Sequence, residues 1–510
     1  MENLIFGIIT IAFCISGYIF AYKQYNKNNI TVALLLVIIC GLLLRIYTAT
    51  DLYLHDWDER YHALVAKNLI EHPLRPTLYD NTILPYDYKN WASNHIWLHK
   101  QPIPLWTMAL SMSVFGNNEI ALRLPSVLLT TLGIWITFFI ANYLFNKRVG
   151  IIAAFLYSIH GLIIVITAGR VATDHIDAFF LFFIQLSVLF AIKFVQEKKP
   201  LLNILCGIST GLAILSKWLP ALIIIPIWFF LVFDSKRFSV KEIFVNFFVL
   251  CSVIALVFLP WQIYIFNTFP YEAQWESSYN LKHITEGLDN HGGPFYYHFD
   301  KARMIFGDII YLPLAWFLWK TAKNLNNYKR LIISIWFIIP YIFFSFTKTR
   351  MQGYILFTAP AIFIITGLFW HYLFQYRNRF RFRWIIVIIL FLLLALPVKY
   401  SIERIKPFMN RERNPQWAQE LRILGTALNN RQKIVIFNTD RPIETMFYVN
   451  CTAYSTVPDS VALKSIEEKG FTIFIRDYVP IRIEHKKNEQ NEIIITGHNI
   501  AYIQWQGQKN

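Results

Sequence analysis

Apolar runs of about 20 residues recur along the chain, each closed by a short polar segment, and that length is what an α-helix needs to cross the hydrocarbon core of a bilayer. The runs fall near residues 3–22, 30–48, 122–144, 149–168, 177–195, 200–215, 218–233, 242–265, 304–319, 331–347, 354–374 and 384–400. The pattern predicts about twelve membrane-spanning helices. The first run lacks a basic leader and a small-residue cleavage site, so it reads as a retained helix and not as a signal peptide.

Three stretches break the pattern. HDWDERYHALVAKNLIEH, from His55 to His72, places Ala63, Val65, Ala66, Leu69 and Ile70 on one side of a short helix, with Asp58 as its cap and Pro73 as its stop. PIPLWTMALSMSVFG (Pro102 to Gly116) is short and led by proline, and reads as a second helix lying at the membrane interface. After about Ser401 the period changes: KIVIFN, TMFYV, FTIFIRDY and EIIITGHNIAYIQW read as strands, with helices near Trp417–Leu428 and Val461–Lys469. The expected architecture is therefore an α-helical polytopic membrane protein: a transmembrane domain over residues 1–400, with an outer loop of interfacial helices at 51–122, then a small α/β domain over 401–510.

The basic residues give the helices a direction. Lys23 and Lys27, Lys147 and Arg148, Lys198 and Lys199, the Lys236–Lys241 loop, the Lys320–Arg330 loop and Arg377–Arg383 occupy every second connection, which makes those loops cytoplasmic. The loop from Asp51 to about Arg123, the turns at 169–177, 216–218 and 347–354, the loop at 267–303 and the tail then face outward.

Composition agrees. The 510 residues are 55% hydrophobic and 17% aromatic, with a mean hydropathy of +0.40, well beyond a soluble globular chain. A net charge of +16 carried in short loops is a topology signal and not a nucleic-acid stripe. Cys14, Cys40, Cys206 and Cys251 fall inside apolar runs and Cys451 in the tail, which leaves no disulfide framework and no zinc spacing.

The outward set holds the unusual polar residues: Asp58, Glu59, His99, Lys100, Arg170, Asp174, Asp177, Lys217, His291, Lys348, Arg350 and Tyr354. Taken singly, each has an ordinary explanation: an acid at a helix start caps it, a lysine at a helix end snorkels, and an arginine near an aspartate forms a structural ion pair. Six separate segments contributing to one face is harder to ascribe to packing, because charge at membrane depth is costly. A carboxylate can take the proton of an acceptor hydroxyl while fixed cations stabilise a departing phosphate. Glycosyl transfer from a lipid phosphate uses that inventory, and no nucleotide-binding fingerprint competes with it.

These motifs resemble those of the bacterial GT-C glycosyltransferases related to protein O-mannosyltransferases and to the aminoarabinose (lipid A) transferase. WDERYHALVAKNL is similar to the first-loop Asp-Glu motif, and HKQPIPLW (His99 to Trp106) to a Lys-Pro-Pro-Leu-aromatic motif with Gln101 inserted. NEIALRLPS, GRVATDHIDAFFLFF, LSKWLP, LPW, HGGPFYY and KTRMQGYILFTAP follow in the family's order, from about Asp51 to Pro360. The resemblance implies a GT-C fold, with Asp58 as catalytic carboxylate, Glu59 its neighbour, and Asp177 or Asp174 the second outer acid. It also implies that Lys100 and Lys217 bind donor phosphate, and that Tyr354 and His291 line the donor cavity. Arg350 would add to the phosphate contacts, with His99 and Arg170 in the same cavity. The aminoarabinose transferases usually carry Glu where His99 stands and Gly where Trp218 stands.

The expected function is inverting transfer of a sugar from a polyprenyl-phosphate donor to an envelope acceptor, whether a lipid A-like lipid, a glycan or a protein. A transporter or flippase of lipid-linked sugars is the alternative; it predicts inverted repeats and charges near the bilayer midplane, and neither is evident. The expected partners are the donor lipid, the acceptor and the bilayer, with no nucleic acid. No cofactor is demanded: His99 and His291, with Glu59, have the chemistry for a divalent metal, but no ligand spacing requires one.

Overall fold

The computed structural model describes residues 2–172, 174–429, 433–477, 495, 496 and 500–504. Among these, nine helices are long and apolar enough to cross a membrane, and eleven spans result if each of two bent helix pairs is counted as one. The chain is a multi-pass, mainly helical membrane protein.

The departures from about twelve spans have local causes. The 149–168 run is two helices, Lys147–Ser158 and Gly161–Thr167, bent by 52°. The side chain of His160 accepts the Ile163 N–H and starts the second helix afresh. The 304–319 run falls across Tyr297–Phe306 and Tyr311–Ala322, which turn by 115° after Gly307 at φ +110°. The 218–233 run becomes a 3-10 turn, Leu219–Ile223, followed by the short helix Ile224–Asp234.

Contacts divide the chain into two compact units. The first comprises Met1–Thr50, Leu98–Thr107 and Arg123–Arg411. Within it, the helices His175–Glu197 and Pro200–Lys217 are joined by a turn with Lys198 at φ +54°. Gly207 and Gly211 admit Val253 and Val257 of the helix Val240–Thr268, where an added Cβ would stand 2.8 and 2.6 Å from the valine atoms. Small residues one turn apart permit this backbone approach, the usual way membrane helices gain packing energy. Arg45 is fully buried and donates to Thr130 Oγ1 (3.0 Å), Gly41 O (2.8 Å) and Ser158 O (3.1 Å).

The second unit comprises Asp51–Trp97, Met108–Leu122 and Glu412–Asn510. The division expected at residue 400 left 51–122 with the membrane helices; by contacts, most of that loop belongs with the C-terminal segment. Ion pairs and hydrogen bonds distant in sequence join them: Asp51 with Arg413 at 3.0 Å, Glu119 with Arg422 at 2.9 Å, and Lys67 Nζ to Met446 O at 2.6 Å.

Five strands, β1 (Ile434–Phe437), β2 (Thr452–Ala453), β3 (Thr472–Asp477), β4 (Ile495–Thr496) and β5 (Ile500–Gln504), form one sheet in the order β2-β1-β3-β5-β4. β1 runs parallel to β2 and β3, whereas β5 is antiparallel to β3 and β4. The expected strands at KIVIFN and FTIFIRDY are present, as are both expected helices. The first four residues of TMFYV, 445–448, are instead in the helix Pro442–Tyr448, because parallel neighbours need a crossover, and Pro442 and Glu444 suit a first helical turn. Of EIIITGHNIAYIQW, only residues 495, 496 and 500–504 fall within the described residues.

Candidate active site

In the second unit, the amphipathic helix predicted after His55 spans Asp58–Glu71. Trp57 holds the cap position with no side-chain capping bond, so Asp58 is the first helical residue and not the cap. Its carboxylate still lies in the first turn, where the helix dipole favours negative charge. Glu59 is fully buried, and its Oε2 accepts the backbone N–H of His55 at 2.8 Å. That contact ties the entering loop to the helix and rules out a merely solvated Glu59.

The first unit holds the remaining candidates. Asp177 sits in the opening turn of the helix His175–Glu197, and Lys217 is the last residue of Pro200–Lys217. Because the two helices are neighbours in an up-down pair, their ends meet and Lys217 Nζ forms an ion pair with Asp177 Oδ1. The same ammonium lies 5.1 Å from the centroid of the Tyr354 ring. A carboxylate, a cation and a phenol are thus assembled from three segments; Asp177 is 3% exposed on its side chain and Lys217 22%, so the cation is the accessible partner.

Asp174 precedes that helix and is fully buried; its carbonyl accepts the N–H of Asp177 at 3.0 Å. His175 is held by Ser126, with Oγ 2.9 Å from Nδ1. Arg170 donates to the carbonyl of Ile405 at 3.1 Å, which anchors the turn bearing Asp174 to the end of the helix Arg383–Ile405.

Trp218, immediately after Lys217, has φ +66° and ψ −156°. A bulky residue in that region is strained, and glycine is the residue that adopts it freely. Trp218 thus holds a turn conformation that glycine would adopt without strain.

Arg350 is buried and braces the loop at 286–294. It donates to Ser345 O at 2.9 Å and to Gly293 O, and its own N–H donates to His291 O at 2.8 Å. His291 therefore contributes a backbone carbonyl to this clasp, which Thr349 extends by accepting from Leu288 N and donating to Glu286 O.

His99 shows a partner that sequence reasoning missed. Its Nδ1 stands 3.2 Å from Glu276 Oε2, and its ring lies 5.8 Å from that of Tyr279. Glu276 and Tyr279 are on the helix Pro270–Thr285, which also carries His283. Burial holds the His283 imidazole below its ordinary range, and the positive charge of Lys100 pushes the same way against the hydrogen bond to Tyr279 O. AQWESSYNLKH has no motif that could have signalled Glu276; only the tertiary pairing across 177 residues does. Among the described residues, no three His, Cys, Asp or Glu side chains are grouped to hold a metal ion.

Residues 99–264 match the family described as dolichyl-phosphate-mannose-protein mannosyltransferase. The match includes Lys100, Asp174, Asp177 and Lys217 and ends before Arg350. The undecaprenyl phosphate-alpha-4-amino-4-deoxy-L-arabinose arabinosyl transferase 1 of Pseudomonas fluorescens is 27% identical over 291 residues, 52% of this chain and 48% of that protein. The corresponding transferase of Pseudomonas aeruginosa strain UCBPP-PA14 is 26% identical over 310 residues, 56% of this chain and 52% of its own length. The chain thus spans about half the length of the curated relatives it matches. In three dimensions it is similar to ArnT from Cupriavidus metallidurans bound to undecaprenyl phosphate, with a TM-score of 0.62 at 14% identity, covering 92% of this chain and 97% of that one. It is also similar to the archaeal oligosaccharyltransferase AglB from Archaeoglobus fulgidus, with a TM-score of 0.60 at 14% identity, covering 87% and 69%. The fold is the one these solved structures share, as expected from the ordered motifs.

Proposed function

We propose that the protein is an inverting glycosyltransferase that takes its sugar from a polyprenyl-phosphate donor and delivers it to a cell-envelope acceptor at the periplasmic face of a bacterial inner membrane. The observation that carries this reading is the Asp177–Lys217 pair beneath Tyr354, an accessible cation steadied by a buried carboxylate at the meeting ends of two helices. A GT-C fold similar to a chain that binds undecaprenyl phosphate supports the same assignment.

In the proposed step, the acceptor hydroxyl oxygen attacks the anomeric carbon while the bond from that carbon to the phosphate oxygen breaks. The hydroxyl proton passes to the Asp58 carboxylate, and the phosphate leaves as an anion. Lys100, Lys217 and Arg350 offset its charge, so the leaving group needs no acid. Glu59 fixes the start of the Asp58 helix. Asp177, with Asp174 beside it, holds Lys217 and orients sugar or acceptor. His99, Arg170, His291 and Tyr354 shape the donor cavity. The cations supply the charge stabilisation a divalent metal would otherwise provide, so transfer is expected to persist in a chelator.

The test is transfer by the purified protein in detergent, with a synthetic prenyl-phosphate sugar and envelope extracts as acceptor, read by mass spectrometry. A glycosylated acceptor with inverted anomeric configuration supports the assignment. Transbilayer movement of donor without product would replace it with the flippase reading.

A further inference from the structure

No Asp or Glu occurs between Asp308 and Glu403, although this stretch contains two basic connections, 320–330 and 377–383. The basic connection after the helix His175–Glu197, by contrast, is partly neutralised: Lys193 and Lys199 pair with Glu197 at 3.6 and 2.8 Å. Orientation by positive charge explains lysine and arginine in such loops, but acidic residues weigh little in that rule, so it does not explain their absence.

The two connections lie at one end of the bundle. Lys320 Nζ is 5.7 Å from the centroid of Tyr372, and the ring of Trp316 is 5.1 Å from the same residue. Tyr372 in turn packs 5.0 Å from Tyr376, over which Arg379 lies at 5.0 Å. Three more cations are laid along aromatic faces: Lys323 over Trp319 at 4.0 Å, Arg377 over Phe374 at 4.3 Å, and Arg381 over Phe382 at 5.4 Å. Among the described residues, no ion pair engages any of these cations. Cation–π contact positions the charge without neutralising it.

Location decides what the anion is. The Arg377–Arg383 turn joins two helices suited to cross a membrane, Gln352–Arg379 and Arg383–Ile405, and the exposed Phe382 and Trp384 flank its arginines. Aromatic rings at this level mark the interface between hydrocarbon and water, where phosphodiesters are concentrated. Guanidinium forks match phosphate oxygens in pairs. We propose that Lys320, Lys323, Arg377, Arg379, Arg381 and Arg383 form a binding site for the headgroups of anionic glycerophospholipids.

The full-length protein is reconstituted in nanodiscs of phosphatidylcholine with phosphatidylglycerol or cardiolipin as minor component, extracted in mild detergent and examined by native mass spectrometry. The wild type is expected to retain the anionic lipid. The R377Q/R379Q/R381Q/R383Q variant is expected to lose retention by roughly tenfold or more. The matched Arg→Lys quadruple variant, which keeps the charge, covers the case in which the glutamine variant does not fold; it is expected to retain lipid within about threefold of wild type. Equal retention by a folded glutamine variant, equal retention of phosphatidylcholine, or displacement of the lipid by inorganic phosphate would each overturn the proposal. Because retention is read without turnover, its failure leaves the transferase assignment untouched.

Discussion

Lys217 and Asp177, forty residues apart, are ion-paired at the junction of consecutive helices, with the lysine the more accessible of the two. The pair makes each residue's structural and chemical roles separable. Lys217→Met removes one cation paired with a buried carboxylate and is expected to cost about 3 kcal/mol of stability. Lys217→Met with Asp177→Asn removes both charges and should restore most of that loss. Donor-lipid binding should stay weak in the double variant, because the phosphate contact is gone in both. Thermal unfolding together with donor binding checks this; a double variant that binds donor normally would confine Lys217 to a structural role.

Asp58 and Glu59 are adjacent acids with opposite expectations. Asp58 is partly exposed, so Asp58→Asn should leave the melting temperature near wild type while transfer falls by about 100-fold or more. Glu59 is buried and accepts the His55 N–H, so Glu59→Ala should cost about 1–3 kcal/mol by leaving that donor unsatisfied. Unfolding curves and transfer rates on both variants decide it, and full turnover by Asp58→Asn would remove it from the mechanism.

Much of this arrangement could be read from the chain. Membrane helices announce themselves because a 20-residue apolar run has few other uses in a polypeptide. Asp58, Lys100, Asp177 and Lys217 stood out because charge next to such runs needs a reason. The bends after Ser158 and Phe306 were not legible, since a continuous apolar run says nothing of where the axis turns. TMFYV misled because its aromatic and β-branched residues suit a strand, while its helix is imposed by the parallel pairing of β1 and β2. Glu276 was invisible because its partner His99 lies in a distant segment, and the mixed helix around it carries no local signal.

The depressed His283 sets a pH dependence. Its folded-state pKa lies below the ordinary 6.5, chiefly through burial, so below that value the unfolded chain binds a proton that the folded chain resists. The stability that this histidine contributes is fully present above about pH 6.5 and is lost as pH falls from there toward the depressed folded value. His283→Gln should flatten the fall in melting temperature across that window and leave stability at pH 8 nearly unchanged. An identical acid slope in the variant would exclude His283 as its source.

Trp218 offers a test of the turn that presents Lys217. At an ordinary position glycine is less stable than alanine by roughly 0.5–1 kcal/mol, because it loses more backbone freedom on folding. At φ +66° and ψ −156° the order should reverse, since alanine keeps the Cβ that this conformation crowds and glycine does not. Comparing Trp218→Ala with Trp218→Gly cancels the lost indole contacts, which are absent from both. Trp218→Gly is therefore expected to be the more stable of the two by about 1–2 kcal/mol, with transfer activity at least equal, because Lys217 is presented by the same turn. Thermal unfolding in detergent gives the order directly. An alanine variant as stable as the glycine variant would show that the turn relaxes to negative φ when the indole is removed, and that the backbone at Trp218 does not fix the aim of Lys217.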